Sequence, residues 1–462
     1  MTQAMTKQGP LAEYLGHFEG LIGDQRTGKT FGGIIRGIIN AGSLVCQQIA
    51  AHSSLLSASK DGAQRVIRFA KGESTKRSEV DAENLVSALC ERGLEQLAGA
   101  EADELWLIAD PSDLRKPYAS EMPDLMQVQD LNGQLVPGYR TLNVLGVTPG
   151  RRGILYHRLF SSVAEDFVSE PLEVQRGLET VSQAVQPLKA QMAVSWIVDR
   201  GFDDVAVWRT IWEQKEHMVC RICHRERLVE YKDRDGRWRA GDIEAAQGHL
   251  RPMASAQAEM MVRRGRQTKA KRQRVTAKIR SCPLRLTYDT HVRREGKGEE
   301  VQKIVWLVEV EVPRASWKPW LLITDWPVED AESAVRIFRM YRQRWAVEDS
   351  FKFTKDVLGW EEVQLLDLKG IRTLLALAWV AAGFLYELGI TLEWEEVRLL
   401  ARLGGWVERK DNPPGKIVLT RGLRRIMDMF YTQSFLDRYR ETHGALPPRI
   451  AEWVGDPPPG EL

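Results

Sequence analysis

Leu105-Trp-Leu-Ile-Ala-Asp110 is a short apolar run that ends in a carboxylate, and the fold is read outward from it. Val194-Ser-Trp-Ile-Val-Asp199, further along the chain, has the same form. Short runs rich in β-branched and aromatic residues read as buried strands. Between the two runs, residues 139–147 and 154–160 read as strands joined at Pro149-Gly150, a turn signal. Residues 171–189 then read as an amphipathic helix with proline at its first position. The order strand, strand, strand, helix, strand predicts a hairpin followed by a helical crossover. That makes a mixed sheet in which the crossover strand runs parallel to its neighbour. If the first and fourth strands are adjacent, Asp110 and Asp199, each ending its apolar run, approach each other at the sheet edge.

The composition agrees with a globular chain. Its 462 residues are 43% hydrophobic and 28% charged, which is ample for a core and for about two to four domains. The net charge of +2 does not by itself announce a nucleic-acid binder, but its distribution is uneven. From Arg251 to Arg280 there are ten Lys or Arg residues and one acid, Glu259. Such a block reads as a phosphate-contacting loop or strand pair, against the alternative of a merely solvated run. Five cysteines without framework spacing suggest a reducing compartment, and the polar first ten residues predict no secretory signal. The longest apolar stretch, residues 374–385, is too short to span a bilayer and suits a buried core helix.

Residues up to about 99 read as a small helical domain, with Ile34, Ile35, Ile38 and Ile39 at helical spacing. Arg65, Arg68 and Lys71 form a basic stripe on its last predicted helix. Residues 205–328 are strand-like and basic, with a helix at 205–215 and strands at 218–223, 284–288, 304–312 and 320–324. Helical period returns from Asp330 to about Leu388, and the tail alternates helix with Pro- and Gly-rich breaks. The expected segments are therefore a helical N-terminal domain (1–99), an α/β core (100–216 and 329–390), a basic β-rich insertion (217–328) and a helical C-terminal region (391–462).

The returning helical segment contains Tyr341-Arg-Gln-Arg344-Trp-Ala-Val-Glu348-Asp-Ser-Phe-Lys-Phe-Thr-Lys355. If it is one helix, Tyr341, Arg344, Glu348 and Lys355 fall within a sector of roughly 60°. Such a face is either a solvated surface with i,i+4 pairs or a phosphate grip beside a metal-binding carboxylate. The strand-end aspartates favour the second. Two close carboxylates repel unless a cation sits between them, and oxygen-only ligands suit Mg²⁺ or Mn²⁺. With Glu348 as a third acid, two metal ions would equip the site for phosphodiester cleavage.

These residues resemble the DDE transposases of bacterial insertion sequences, in the subgroup with a Tyr-Arg-Glu-Lys signature. Tyr341, Arg344, Glu348 and Lys355 match that signature at every position. Asp110, in Ile108-Ala-Asp-Pro-Ser-Asp-Leu, matches the family's first aspartate, and Asp199, in Val198-Asp-Arg-Gly-Phe-Asp, its second. Residues 218–225, 320–324 and 401–405 resemble shorter family segments, so the resemblance covers roughly residues 15 to 430.

The resemblance implies an α/β fold: an RNase H-like (retroviral integrase-like) mixed-sheet core with a β-rich insertion, plus helical N-terminal and C-terminal domains. It implies that Asp110, Asp199 and Glu348 bind two Mg²⁺ (or Mn²⁺) per active site. The activity implied is cleavage of double-stranded DNA at transposon terminal repeats, followed by strand transfer to target DNA, in some relatives through a hairpin. Tyr341, Arg344 and Lys355 would grip phosphates near the cut, and Trp320 would stack on a flipped base, with Trp317 and Trp326 as competitors. Arg221, Arg200, Arg65, Arg68, Arg272 and Arg274 are the further expected DNA contacts. Asp113 and Asp203 are nearby alternative acids. A homodimer in a synaptic complex and a cytoplasmic, nucleoid-associated location in bacteria are also implied. The alternatives are a transposase-derived DNA-binding or repressor protein without mobility, and a P-loop nucleotide hydrolase.

Two motifs are read as accidents of spelling. Gly23-Asp-Gln-Arg-Thr-Gly28-Lys29-Thr30 fits the P-loop pattern but lacks the strand that must precede one. Cys220-Arg-Ile-Cys223-His224 fits a haem-attachment or zinc pattern, but in a strand Cys220 and Cys223 would face opposite sides.

Overall fold

The computed structural model of the chain describes residues 9–56, 58–73, 80–130, 132–262, 271–288, 300–313, 315, 318–408 and 413–455. Five helices come first: α1 (Pro10–Gly16), α2 (Gln25–Ala41), α3 (Cys46–Ala51), α4 (Lys60–Lys71) and α5 (Ala82–Ala98). There follow β1 (Glu104–Arg115), β2 (Met126–Gln129), β3 (Leu135–Thr148), β4 (Arg151–Phe160), α6 (Glu170–Ala184), β5 (Ala193–Val198), α7 (Val205–Glu213) and β6 (His217–Arg221). Next come β7 (Leu228–Lys232), β8 (Trp238–Asp242), α8 (Ile243–Gln247), β9 (Arg251–Val262), β10 (Lys271–Tyr288), β11 (Glu300–Glu311) and β12 (Trp320–Thr324). The chain then passes through α9 (Ala331–Arg342), α10 (Trp345–Leu358), α11 (Leu368–Thr391), α12 (Trp394–Leu403), α13 (Lys416–His443) and α14 (Pro448–Val454). The residues divide into two compact units. Unit one is Met1–Arg92, Leu114–Tyr139 and Phe351–Leu462; unit two is Gly93–Asp113 and Arg140–Ser350.

Unit one is built around α11, whose buried residues lie on every side of the helix, with α2, α4 and α13 packed against it. At 24 residues α11 is twice the run expected, and it is long and apolar enough to cross a membrane. Yet 78% of its most apolar stretch is buried inside the protein, as in a core helix. The P-loop spelling resolves into the start of α2. The Asp24 carboxylate accepts the N–H groups of Arg26 and Thr27 and caps the helix. Gly28, Lys29 and Thr30 therefore lie inside its first turns, and a 3₁₀ turn (Glu19–Leu21), not a strand, precedes them. Gly37 is required where α2 meets α3, since a Cβ there would stand 2.2 Å from the Ile49 carbonyl. On α4, Arg65 and Arg68 are exposed; α5 follows, so α4 is not the last of the N-terminal helices.

Unit two is organised by a mixed sheet in the order β3-β1-β5-β6-β12-β11-β10-β7-β8, with β4 on β3 and β9 on β10. Pro149-Gly150 turns β3 into β4, and φ of +78° at Gly150 is a conformation glycine adopts without strain. The helix α6 carries the chain across to β5, which pairs parallel to β1, and α7 carries it to β6, parallel to β5. Antiparallel β4 and β3 leading into parallel β1, β5 and β6 make the expected mixed α/β sheet.

The sheet does not stop there. β12 pairs antiparallel to β6, and β11 and β10 continue from it. β7 and β8 are strands not expected from the sequence, whereas β9 lies in the basic block read as a loop or strand pair. Along β9 buried and exposed residues alternate from Ser255 to Val262, the period-2 sign of a strand with one solvated face. The basic block is thus a strand pair in part: Arg274 of β10 lies opposite Glu259 of β9 and is exposed. Arg263, Arg264, Arg266 and Lys269, and the side chains of Lys271 and Arg272, lie outside the described residues, as does Trp317.

Candidate active site

Register brings the two aspartates together. The parallel ladder of β1 and β5 ends at the pair Ala109↔Val198, and the next residues on those adjacent strands are Asp110 and Asp199. β5 stops because Asp199 opens a 3₁₀ turn, Arg200–Phe202. β1 does not stop at Asp110, contrary to expectation, but runs on to Arg115. Its other neighbour, β3, still holds it there, with Thr141 Oγ1 donating to the Ser112 carbonyl at 3.0 Å. Asp110 therefore sits within a strand at the point where its parallel partner departs.

Tyr341, Arg344 and Glu348 do not lie on one continuous helix. α9 ends at Arg342 and α10 starts at Trp345, with Gln343 and Arg344 in a turn between them. The N–H groups of Gln343, Arg344, Ala346 and Val347 each donate to the carbonyl three residues back. This spacing turns the chain by about 120° per residue instead of 100°. Tyr341 thus closes α9, Arg344 occupies the junction, and Glu348 sits in the first turn of α10, where the helix dipole favours a negative charge.

The buried Arg344 guanidinium is the meeting point of the three acids. Its Nη1 lies 4.0 Å from Asp110 Oδ2 and 3.6 Å from Asp199 Oδ2, and its Nη2 donates to Glu348 Oε1. Burial works against the arginine's charge, but Tyr341, Asp199, Glu348 and Asp110 outweigh it and raise its pKa above the ordinary value. The Tyr341 hydroxyl donates to Asp199 Oδ1 at 3.2 Å; burial and Asp199 both raise its pKa, so it stays protonated. Arg221 Nη1 stands 3.9 Å from the same Asp199 oxygen.

Beside this cluster is a cavity of ≈ 470 Å³ lined by Arg221, Met261, Trp320, Tyr341, Arg344, Trp345 and Glu348. Trp320 is buried and packs edge-on against Tyr341 (5.2 Å between centroids) and Trp345 (5.8 Å). Trp345, which is more exposed and lies in the stretch singled out from sequence, was not expected to share this wall. Trp326 is engaged elsewhere, stacked between the His217 ring and the Arg336 guanidinium.

The other expected residues fall as follows. Lys355 belongs to unit one and pairs with Glu361 at 3.5 Å. Arg200 is exposed on the turn after Asp199. Asp113 binds Arg140, which also holds Glu170. The buried Asp203 pairs with Arg227 and accepts the N–H groups of Cys223 and His224. Asp203, Cys223 and His224 are the group of metal-type ligands within 4.8 Å of one another among the described residues, but the Asp203 carboxylate is already satisfied by these three polar partners. Cys220 is buried in β6 and takes no part in that group.

Asp110, Asp199 and Glu348 offer oxygen ligands only, the kind that suit Mg²⁺ or Mn²⁺; they are gathered around Arg344 but do not all lie within 4.8 Å of one another.

Residues 182–383 match the family model described as the transposase DDE domain. That span includes Asp199, Trp320, Tyr341, Arg344, Glu348 and Lys355, whereas Asp110 precedes it. No curated protein matches the chain. Among solved structures it is similar to piggyBac transposase, seen by cryo-electron microscopy in a synaptic complex with hairpin DNA. The two share 12% identity at a TM-score of 0.44, over 95% of this chain and 77% of that one.

Proposed function

We propose that this protein is a DNA transposase of the DDE type that cuts and rejoins DNA at Asp110, Asp199 and Glu348. The observation that carries the reading is the convergence of those three acids on Arg344 at the edge of an aromatic and cationic cavity. The family match over residues 182–383 supports it.

Asp110, Asp199 and Glu348 would hold Mg²⁺ or Mn²⁺, two ions per site. Bound there, the ions would supply activation of an oxygen nucleophile and charge stabilisation for a leaving oxygen at phosphorus. The protein's own groups position the DNA. Tyr341 holds Asp199 in place through its hydroxyl, while Arg221 and Arg344 present guanidinium groups that can bind a phosphate entering the cavity. Trp320 and Trp345 offer an aromatic wall to a base taken out of the stack. Lys355, Arg200, Arg272 and Arg274, with Arg65 and Arg68 on α4, would add backbone contacts.

The finer assignment is to the bacterial insertion-sequence subgroup with the Tyr-Arg-Glu-Lys signature. With it go cut-and-paste movement, a homodimeric synaptic complex and a cytoplasmic, nucleoid-associated location. The N-terminal helices (1–99) would bind DNA, the core (100–216 and 329–390) would carry the chemistry, residues 217–328 would form the DNA-gripping insertion, and the C-terminal helices (391–462) would dimerise. One observation favours an alternative, a DNA-binding protein that has lost cleavage: the acids are occupied by an arginine.

The test is incubation of the full-length protein with duplex DNA carrying the inverted repeats that flank its gene, with Mg²⁺ or with EDTA. Cleavage at the repeat ends is expected with Mg²⁺ alone. Glu348→Gln should lose more activity than the ~10–100-fold typical of a merely supporting residue. Full cleavage by that variant would end the assignment.

A further inference from the structure

Arg344 has a second consequence, which rests on the reading of Asp110, Asp199 and Glu348 as cation ligands. Its guanidinium is buried, and its two terminal nitrogens reach all three acids: Nη1 faces Asp110 and Asp199, and Nη2 is bonded to Glu348. A divalent ion shared by those oxygens would stand beside the like charge of a buried guanidinium, although Glu348 itself is exposed. Among the described residues Arg221 also approaches these acids, at 3.9 Å from Asp199 Oδ1. Tyr341 contributes a hydroxyl, which carries no positive charge in any protonation state.

The same arginine lines the cavity. It is placed at the junction between α9 and α10 rather than within either helix, so its backbone is not held by an unbroken helical ladder on both sides. A phosphate entering the cavity would offer the guanidinium a better-matched bidentate partner than three acids at mixed distances.

We propose that Arg344 is an internal counter-ion that closes the three acids to divalent cations until a DNA phosphate in the adjoining cavity draws it away. Metal binding and DNA binding are thereby coupled, each favouring the other by the same factor. A free protein then carries a neutralised site and assembles its cleavage centre only on DNA.

The experiment is a Mn²⁺ titration of the full-length protein without DNA, following the loss of free-ion signal by electron paramagnetic resonance. Arg344→Gln should bind Mn²⁺ about tenfold more tightly than the wild type, because the competing charge is gone. Arg344→Lys, whose single ammonium reaches fewer acids at once, should fall between the two, and it decides the matter if Arg344→Gln does not fold. Adding Glu348→Gln to Arg344→Gln should remove the gain. Equal or weaker Mn²⁺ binding by the arginine variants, with Glu348→Gln still reducing wild-type binding, would overturn the counter-ion role and leave the metal site standing. If Mn²⁺ binding is absent in every variant, or unaffected by Glu348→Gln, the site itself is misread and the inference falls with it.

Discussion

Asp203 and Arg227 form an ion pair with both side chains almost fully buried, 2.6 Å apart. Asp203 also receives the N–H groups of Cys223 and His224, so the loop that begins at Asp199 is tied to the turn after β6. Removing one partner leaves an uncompensated buried charge. Asp203→Ala should therefore cost about 3–5 kcal/mol, read as a lower denaturant midpoint at unchanged slope. A loss below about 1 kcal/mol, the range of exposed pairs, would show that the pair is not buried as described. A second residue makes a pH-dependent contribution. His157 is enclosed in unit two, and burial pushes its pKa down to about 3. Asn143 gives its amide N–H to Thr141, which turns its oxygen toward His157 Nδ1 at 2.7 Å, so Nδ1 is the donor. An unfolded histidine titrates near ~6.5. The folded pKa is the lower one, so the contribution is complete above pH ~6.5 and is lost as pH falls toward 3, at about 1.4 kcal/mol per pH unit. Stability measured from pH 4 to 6 should fall less steeply for His157→Gln than for the wild type. Parallel curves would contradict the buried neutral imidazole.

At the scale of elements, the β9–β10 ladder and the α9–α10 junction show where the sequence was readable and where it was not. Arg274 stands exposed on β10 in the basic block, opposite Glu259. If it contacts a phosphate, Arg274→Gln should reduce the slope of log K against log salt by about 0.9 with little change in sequence preference. An unchanged slope would remove this strand from the DNA surface. The block was open to reading as a loop or a strand pair because charge density survives in the linear sequence, and β9 and β10 make it a strand pair in part. The alternation from Ser255 to Val262 was available to decide between the two, but its small residues, Ala256 and Ala258, give a weak apolar signal; β7 and β8 were not foreseen. The junction at Gln343 and Arg344 was illegible for a different reason. Neither residue is a helix breaker, and the shift to three-residue hydrogen bonding accompanies burial of Arg344 against acids distant in sequence. Tertiary contacts of that kind leave no local mark.

At the scale of the whole molecule, the order of strands and helices around Asp110 and Asp199 was readable because each apolar run was bounded by a turn or a helix signal. Adjacency of β1 and β5 was a condition the sequence left open, and the parallel register of the two strands meets it. The continuation of the core sheet from β6 into β12, β11 and β10 was not readable, since antiparallel pairing between segments a hundred residues apart is a product of the fold. The candidate acids all belong to unit two, and they come from three separate parts of the chain. Asp199 and Glu348 lie within the span that matches the transposase DDE domain, but Asp110 does not; the structure supports it by register, one residue beyond the pair Ala109↔Val198, and by its 4.0 Å approach to Arg344. The most direct measurement is therefore Mg²⁺-dependent cleavage of terminal-repeat DNA by Asp110→Asn beside the wild type, with folding and DNA binding of both confirmed. Loss of cleavage with DNA binding retained is the result expected. Cleavage at the wild-type rate would contradict the three-acid site.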